Sequence, residues 1–118
     1  MKISITYLYV IFQYGYPHTV ADVLKALPQI RKLGFRFLEM EGLGPAHLRS
    51  MYAKRKAVRN ALDDCGLQVH NFCVVDRELV SSNPAARAKA LDRFRLGAEL
   101  GAFLGADSRS ARYAAATD

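Results

Sequence analysis

Residues Leu33 to Gly44 read LGFRFLEMEGLG. Leu33-Gly34 ends the helical periodicity before it, because glycine readily takes the left-handed conformation that stops a helix. A short strand follows. Alternation sets Phe35, Phe37, Glu39 and Glu41 on one face, and Arg36, Leu38 and Met40 on the other. The strand then runs out on two carboxylates. Carboxylates are rarely buried without a partner, so the pair needs a physical reason to stand there.

Working outward, the same unit recurs. Strand-like runs begin near Ile3, Phe35 and Leu67, at intervals of 32 residues. The first, MKISITYLYVIF, is rich in β-branched and aromatic residues (Ile3, Ile5, Thr6, Tyr7, Tyr9, Val10, Ile11), which suit a buried strand. It is too short to span a bilayer and lacks the flanks of a signal peptide. The third, LQVHNFCVV, is largely apolar on both faces, as a parallel strand covered by helices should be.

Helical segments lie between these runs. Thr19 and Asp22 mark one helix start, and Val23, Leu24, Leu27, Ile30 and Leu33 form its apolar face. Pro28 is expected to kink it. A second helix carries Leu48, Met51, Tyr52, Val58, Ala61, Leu62 and Cys65 on one side and stops at Gly66. A third opens at Asn83-Pro84, continues its face through Ala88, Leu91, Phe94 and Ala98, and closes at Gly101. A fourth strand is expected to begin in AFLGADS, residues 102–108, whereas RSARYAAATD shows no strand pattern. Residues 1–106 therefore read as one unit and 107–118 as an off-pattern tail.

Strand–helix alternation with short connections means parallel strands joined by crossovers. Eight such units give roughly 250 residues, the size of a (β/α)8 barrel. The expected fold class is α/β: a partial TIM barrel of about three βα units plus a stub of strand 4. A doubly wound sheet uses the same unit. No glycine-rich phosphate loop follows the first strand, where QYGYPHT holds a single glycine, and this lowers the nucleotide-binding version.

Composition narrows the class further. Hydrophobic residues make up 51% and charged residues 24%, ample for a soluble core. The net charge of +6 permits an acidic partner. Lys54, Arg55, Lys56 and Arg59, however, fall on one helical segment opposite its apolar stripe, so a solvated basic face is favoured. Cys65 and Cys73 match neither a disulfide framework nor a zinc site, and reduced thiols in a cytoplasmic protein are expected.

ADVLKALPQIRKLGFRFLEME resembles the first helix and second strand of the xylose isomerase-like TIM-barrel superfamily. NPAARAKALDRFRLGAELGA resembles the same superfamily's third helix. That group includes sugar phosphate isomerases/epimerases and apurinic-site endonucleases. The resemblance covers residues 1–106, the N-terminal portion of such a barrel. It implies metal-assisted proton transfer on a small keto sugar or cyclitol, with a divalent ion (Mn, Co, Mg or Zn) as cofactor. The family's Glu-Asp-His-Glu metal set comes mainly from later strands. The chain is therefore expected to lack most ligands, and an inactive truncated remnant is one alternative. A DNA repair endonuclease is another. The expected partner is a small sugar or sugar phosphate. Nucleic acid is disfavoured, no membrane is implied, and open sheet edges offer self-association.

In a parallel barrel the loops after the strands gather at one end, and that end holds the site. Glu39 matches the Glu that commonly closes the family's second strand, so Glu39 and Glu41 are the candidate catalytic residues. The alternative makes Glu41 a solvated loop residue and Glu39 an ion-paired one, with a Lys on a neighbouring strand. His18 and His47 sit after strands 1 and 2 and are candidate substrate-binding residues. His70, on strand 3, is the candidate metal ligand, set against a satisfied core histidine low in the strand. Asp76, just past strand 3, is a weaker candidate. Tyr7, Tyr9 and Tyr14 are candidates to line the pocket, set against ordinary packing.

Overall fold

A computed structural model describes residues 2–106 and, for the backbone alone, Arg112–Ala114. Four strands lie side by side in chain order, and every pair is parallel: β1 (Ser4–Ile5), β2 (Phe37–Leu43), β3 (Gln68–Val75) and β4 (Arg112–Ala114). The helices are α1 (Leu8–Tyr14), α2 (Val20–Lys32), α3 (Gly44–Ala53), α4 (Arg55–Cys65) and α5 (Pro84–Phe103). A short 3-10 turn spans Arg77–Val80. The strand starts at 4, 37 and 68 keep the repeat. The consecutive, all-parallel strand order is that of an arc of a parallel barrel, the version the shared repeat left open against a doubly wound sheet.

The burial pattern of β2 alternates strictly. Leu38, Met40 and Gly42 are buried, while Phe37, Glu39, Glu41 and Leu43 are half-buried. Leu38 and Met40 join the main core with Val69, Phe72 and Val74 of β3, Val23, Leu27 and Ile30 of α2, and Leu48, Met51, Val58 and Leu62 of α3 and α4. The core thus lies between the sheet and the helices. The opposite face, with the two glutamates, is the inner one.

The structure corrects several expectations. The first run is not one long strand: β1 stops at Ile5, and Leu8–Tyr14 is helical. Tyr7 and Val10 are buried, Ile11 and Tyr14 half-buried, while Leu8 and Phe12 are exposed. That is helical spacing, and it outweighs β propensity. Tyr9 and Tyr14 both bond the Gln29 amide, at 3.0 and 2.9 Å, tying α1 to α2.

The capping box of Thr19 and Asp22 forms as read. Pro28 lies inside α2, whose assignment runs on to Lys32, and Leu33 is exposed rather than part of the face. The second helix is in fact two, parted at Lys54.

The third helix differs most. Its buried side is Ala90, Gly97, Leu100 and Gly101, whereas Ala88, Leu91 and Ala98 are exposed. α5 lies close on the sheet, and small residues make that approach possible. A β-carbon at Gly101 would stand 3.0 Å from Phe72 Cβ, and one at Gly97 would collide with Val74 Cγ2. Gly101 is therefore a packing residue and not the helix stop. The stop is Gly105, at φ 87°, where Ala106 N–H reaches Gly101 O at 2.9 Å. The expected fourth strand does not begin at Ala102, which is helical. Asp107 and Ser108 lie outside the described residues, as does most of the 107–118 tail. Arg112–Ala114 nevertheless pair with Cys73–Val75, so RSARYAAATD does carry a strand.

Gly97→Ala tests the close contact. Alanine adds roughly 1 kcal/mol of helix propensity, but overpacking costs about 1–3 kcal/mol. The expected result is a lower urea midpoint at unchanged m value. A raised midpoint would mean that Val74 yields freely.

Candidate active site

Tyr7 stands just beyond the carboxyl end of β1, and His47 in the first turns of α3, just beyond β2. His18 precedes the Thr19 cap of α2. Three separate segments therefore deliver these side chains to the carboxyl end of the sheet, the end that holds the site in parallel barrels. Tyr7 Oη lies 2.7 Å from His18 Nε2 and 3.1 Å from His47 Nε2. The two imidazoles meet edge to face, with ring centroids 5.0 Å apart.

Backbone partners assign the ring protons. The Leu43 N–H donates to His47 Nδ1 at 3.1 Å, so that nitrogen carries no proton and Nε2–H donates to Tyr7 Oη. His18 Nδ1–H donates to Gly15 O at 3.2 Å, which leaves Nε2 to accept from the Tyr7 hydroxyl. The result is one directed chain: Leu43 amide, His47, Tyr7, His18, Gly15 carbonyl. All four ring nitrogens are engaged. Both ends rest on backbone, so the chain locks three segments together and has no free end for passing a proton on.

Electrostatics agree with this assignment. Burial, and then the neighbouring His18, push the His47 imidazole down to about 4. Burial, and then the Glu41 charge, hold the Tyr7 phenol well above its usual range. That coupling sets Glu41 beside the same cluster. A cleft of about 240 Å³ opens here, lined by Tyr16, Pro17, His18, Leu43, Gly44 and His47 among others. A second cleft shares Tyr16, Leu43, Gly44 and Pro45 with it and extends to Val75 and Asp76. Together they form a groove across the strand ends.

Glu39 and Glu41 lie on the inner face of β2, both half-buried, as strand parity required. Glu39 Oε2 accepts from Asn71 Nδ2 at 3.1 Å, so its partner is an amide rather than a lysine. Burial, and then the Glu39 charge, raise the Glu41 carboxyl above the usual carboxylate range.

His70 is not a core histidine. It is the extra residue of a bulge, where the register steps from Leu38↔Val69 to Glu39↔Asn71, and it is exposed. Asp76 is a structural residue. It is buried, caps the 3-10 turn through the Glu78 amide, and takes both Nε and Nη2 of Arg93. Burial alone would raise its carboxyl, but the Arg93 and Glu78 hydrogen bonds outweigh this and hold it below the usual range.

Among the described residues, no three His, Cys, Asp or Glu side chains come together to hold a metal ion. The described residues therefore do not fit a divalent centre, and no step below passes through one. No described helix is long and apolar enough to cross a membrane.

Sequence reasoning named Tyr7 only as a candidate pocket-lining residue set against packing, without its bridge between His18 and His47, and missed Asn71 and Arg93 altogether. Only the hydroxyl of a tyrosine placed just past a strand end was an available signal.

No family model matches the chain, and no curated protein matches it. Among solved structures it is similar to a D-psicose 3-epimerase whose crystal structure was determined in the presence of D-fructose. The TM-score is 0.66 at 22% identity, covering 90% of this chain and 35% of that one. The likeness shows the fold alone: the arc of a parallel α/β barrel, as the sequence led one to expect. The chain spans about a third of that protein's length.

The His47 assignment predicts a pH dependence. An unfolded His47 takes up a proton near 6.5, whereas the folded one does so only near 4. Between those values the unfolded state binds more protons, so stability is full above pH 6.5 and falls as pH drops toward 4. His47→Gln should show a shallower loss across that window in urea titrations. Equal slopes in the two proteins would refute the assignment.

Proposed function

We propose that the chain is the opening arc of an isomerase or epimerase barrel that moves a proton between neighbouring carbons of a small keto sugar or cyclitol. One observation carries this reading. Two half-buried, electrostatically coupled carboxylates, Glu39 and Glu41, share the inner face at the carboxyl end of a parallel sheet whose fold matches that of a sugar epimerase.

The proposed chemistry uses that inequality. The Glu39 carboxylate takes the proton from the carbon beside the substrate carbonyl. The electron pair of the broken C–H bond forms the C=C bond of an enediol. Glu41 holds its proton to higher pH than an ordinary carboxyl and delivers it to the carbonyl oxygen. Glu39 then delivers its proton to the former carbonyl carbon, while Glu41 takes the proton from the neighbouring hydroxyl, whose C–O becomes the new carbonyl; charge and protons balance and isomerisation is complete. Two residues of strand separate the glutamates by roughly 6.5–7 Å, a span that a C2–C3 unit with its oxygens can bridge. His18 and His47 line the groove and orient hydroxyl groups by contact, their ring nitrogens being already engaged by Tyr7 and the backbone.

The test is exchange of hydrogen for deuterium. The chain is incubated with D-fructose in D2O and followed by proton NMR. The expected result is deuterium entering the carbon beside the carbonyl faster than in buffer, with Glu41→Gln lowering the rate by about 100-fold or more. Exchange no faster than in buffer would sink the proposal, as would a Glu41→Gln variant as active as the parent.

A further inference from the structure

The inner face of β2 and β3 contains a polar arrangement that stability alone does not explain. Asn71 is 7% exposed, and its Nδ2 donates to Glu39 Oε2. Its Oδ1 is buried with no hydrogen-bond partner among the described residues. An unpaired buried carbonyl costs stability, whereas an apolar residue of similar size would not. A residue that weakens the fold while contacting a reacting group is expected to serve the site.

Several groups among the described residues surround the pair. Glu41 faces Glu39 along its own strand, Cys73 across the β3 register and Tyr7 from the segment after β1. On the other side of Glu39, the Lys2 ammonium lies over the Phe37 ring, 5.3 Å from its centroid. The Asn71 amide donates to Glu39 Oε2 at 3.1 Å.

We propose that Asn71 is a positioning residue for the carboxylate pair: its amide donates to Glu39 Oε2 and holds that carboxylate oriented beside Glu41. Asn71 touches neither substrate nor the reacting carbon and acts through Glu39. A hydrogen bond donated to a carboxylate favours its charged form, and a charge held on Glu39 makes Glu41 harder to ionise. The division of labour between base and acid then follows from one amide. This rests on the reading of Glu39 and Glu41 as the reacting pair, but its test needs no turnover.

The experiment is carboxyl carbon-13 NMR titration of the 118-residue chain, comparing the parent with Asn71→Leu and Glu39→Gln. In the parent, Glu41 should titrate at the higher pH. In Asn71→Leu, the Glu39 midpoint should rise and the two titrations draw together. In Glu39→Gln, which keeps an oxygen for the Asn71 amide, the Glu41 midpoint should fall.

A folded Asn71→Leu with both midpoints unmoved overturns the proposal, because a purely structural Asn71 would change melting alone. If Asn71→Leu does not fold, Glu39→Gln decides: an unmoved Glu41 midpoint overturns it, and a fall supports it. Titrations that behave as stated in a chain without deuterium exchange would leave Asn71's role standing and remove the catalytic reading.

Discussion

The parallel pairing of β2 with β3, and the bulge inside it, is the constraint on which the rest depends. From Glu39 onward the register runs Glu39↔Asn71, Glu41↔Cys73 and Leu43↔Val75, one residue out of step with the pairing before it. His70 absorbs the difference. A one-residue step in a strand exchanges its two faces. The bulge therefore lets Val69 share the helix-covered core with Phe72 and Val74, while Asn71 and Cys73 turn inward. Without it, Asn71 would follow Val69 into the core, and Glu39 would have no amide beside it.

The site forms where three short connections meet at the ends of that pairing. Each brings one polar side chain, and Tyr7 joins them, because a phenol can accept from one imidazole while donating to another. The chain of hydrogen bonds closes on backbone at both ends, which suits it to hold geometry. Beside it stand two carboxylates that repel each other yet are retained. Burial, and then the charge of Glu39, raise the Glu41 carboxyl above the usual carboxylate range.

Much of the fold was legible from residue order. The repeat, the parallel strands, the Thr19 capping box and the two faces of β2 follow from spacing and parity, which are local properties of the backbone. Errors arose where tertiary contacts override local preference. Helical spacing turned Leu8–Tyr14 away from the strand that its β-branched and aromatic residues favour. The face of α5 was misjudged because its contact surface is glycine and alanine, which carry little hydrophobic signal yet permit the closest approach to Phe72 and Val74. Asp76 does lie at the strand ends, but Arg93 from the middle of α5 pairs with its carboxylate, a contact no local pattern announces.

By itself, the sequence determined that two carboxylates share one face of a parallel strand, because alternation and helix stops are written into neighbouring residues, although the strand runs on past them to Leu43. It also placed His18 and His47 near the carboxyl end of the sheet. Which groups those side chains meet was decided only in three dimensions. The Tyr7 hydroxyl bridges residues 11 and 40 positions away along the chain, and Asn71 reaches Glu39 across 32. Such pairings depend on register, on one bulge and on the angle at which each connection leaves the sheet, and no local pattern encodes those quantities.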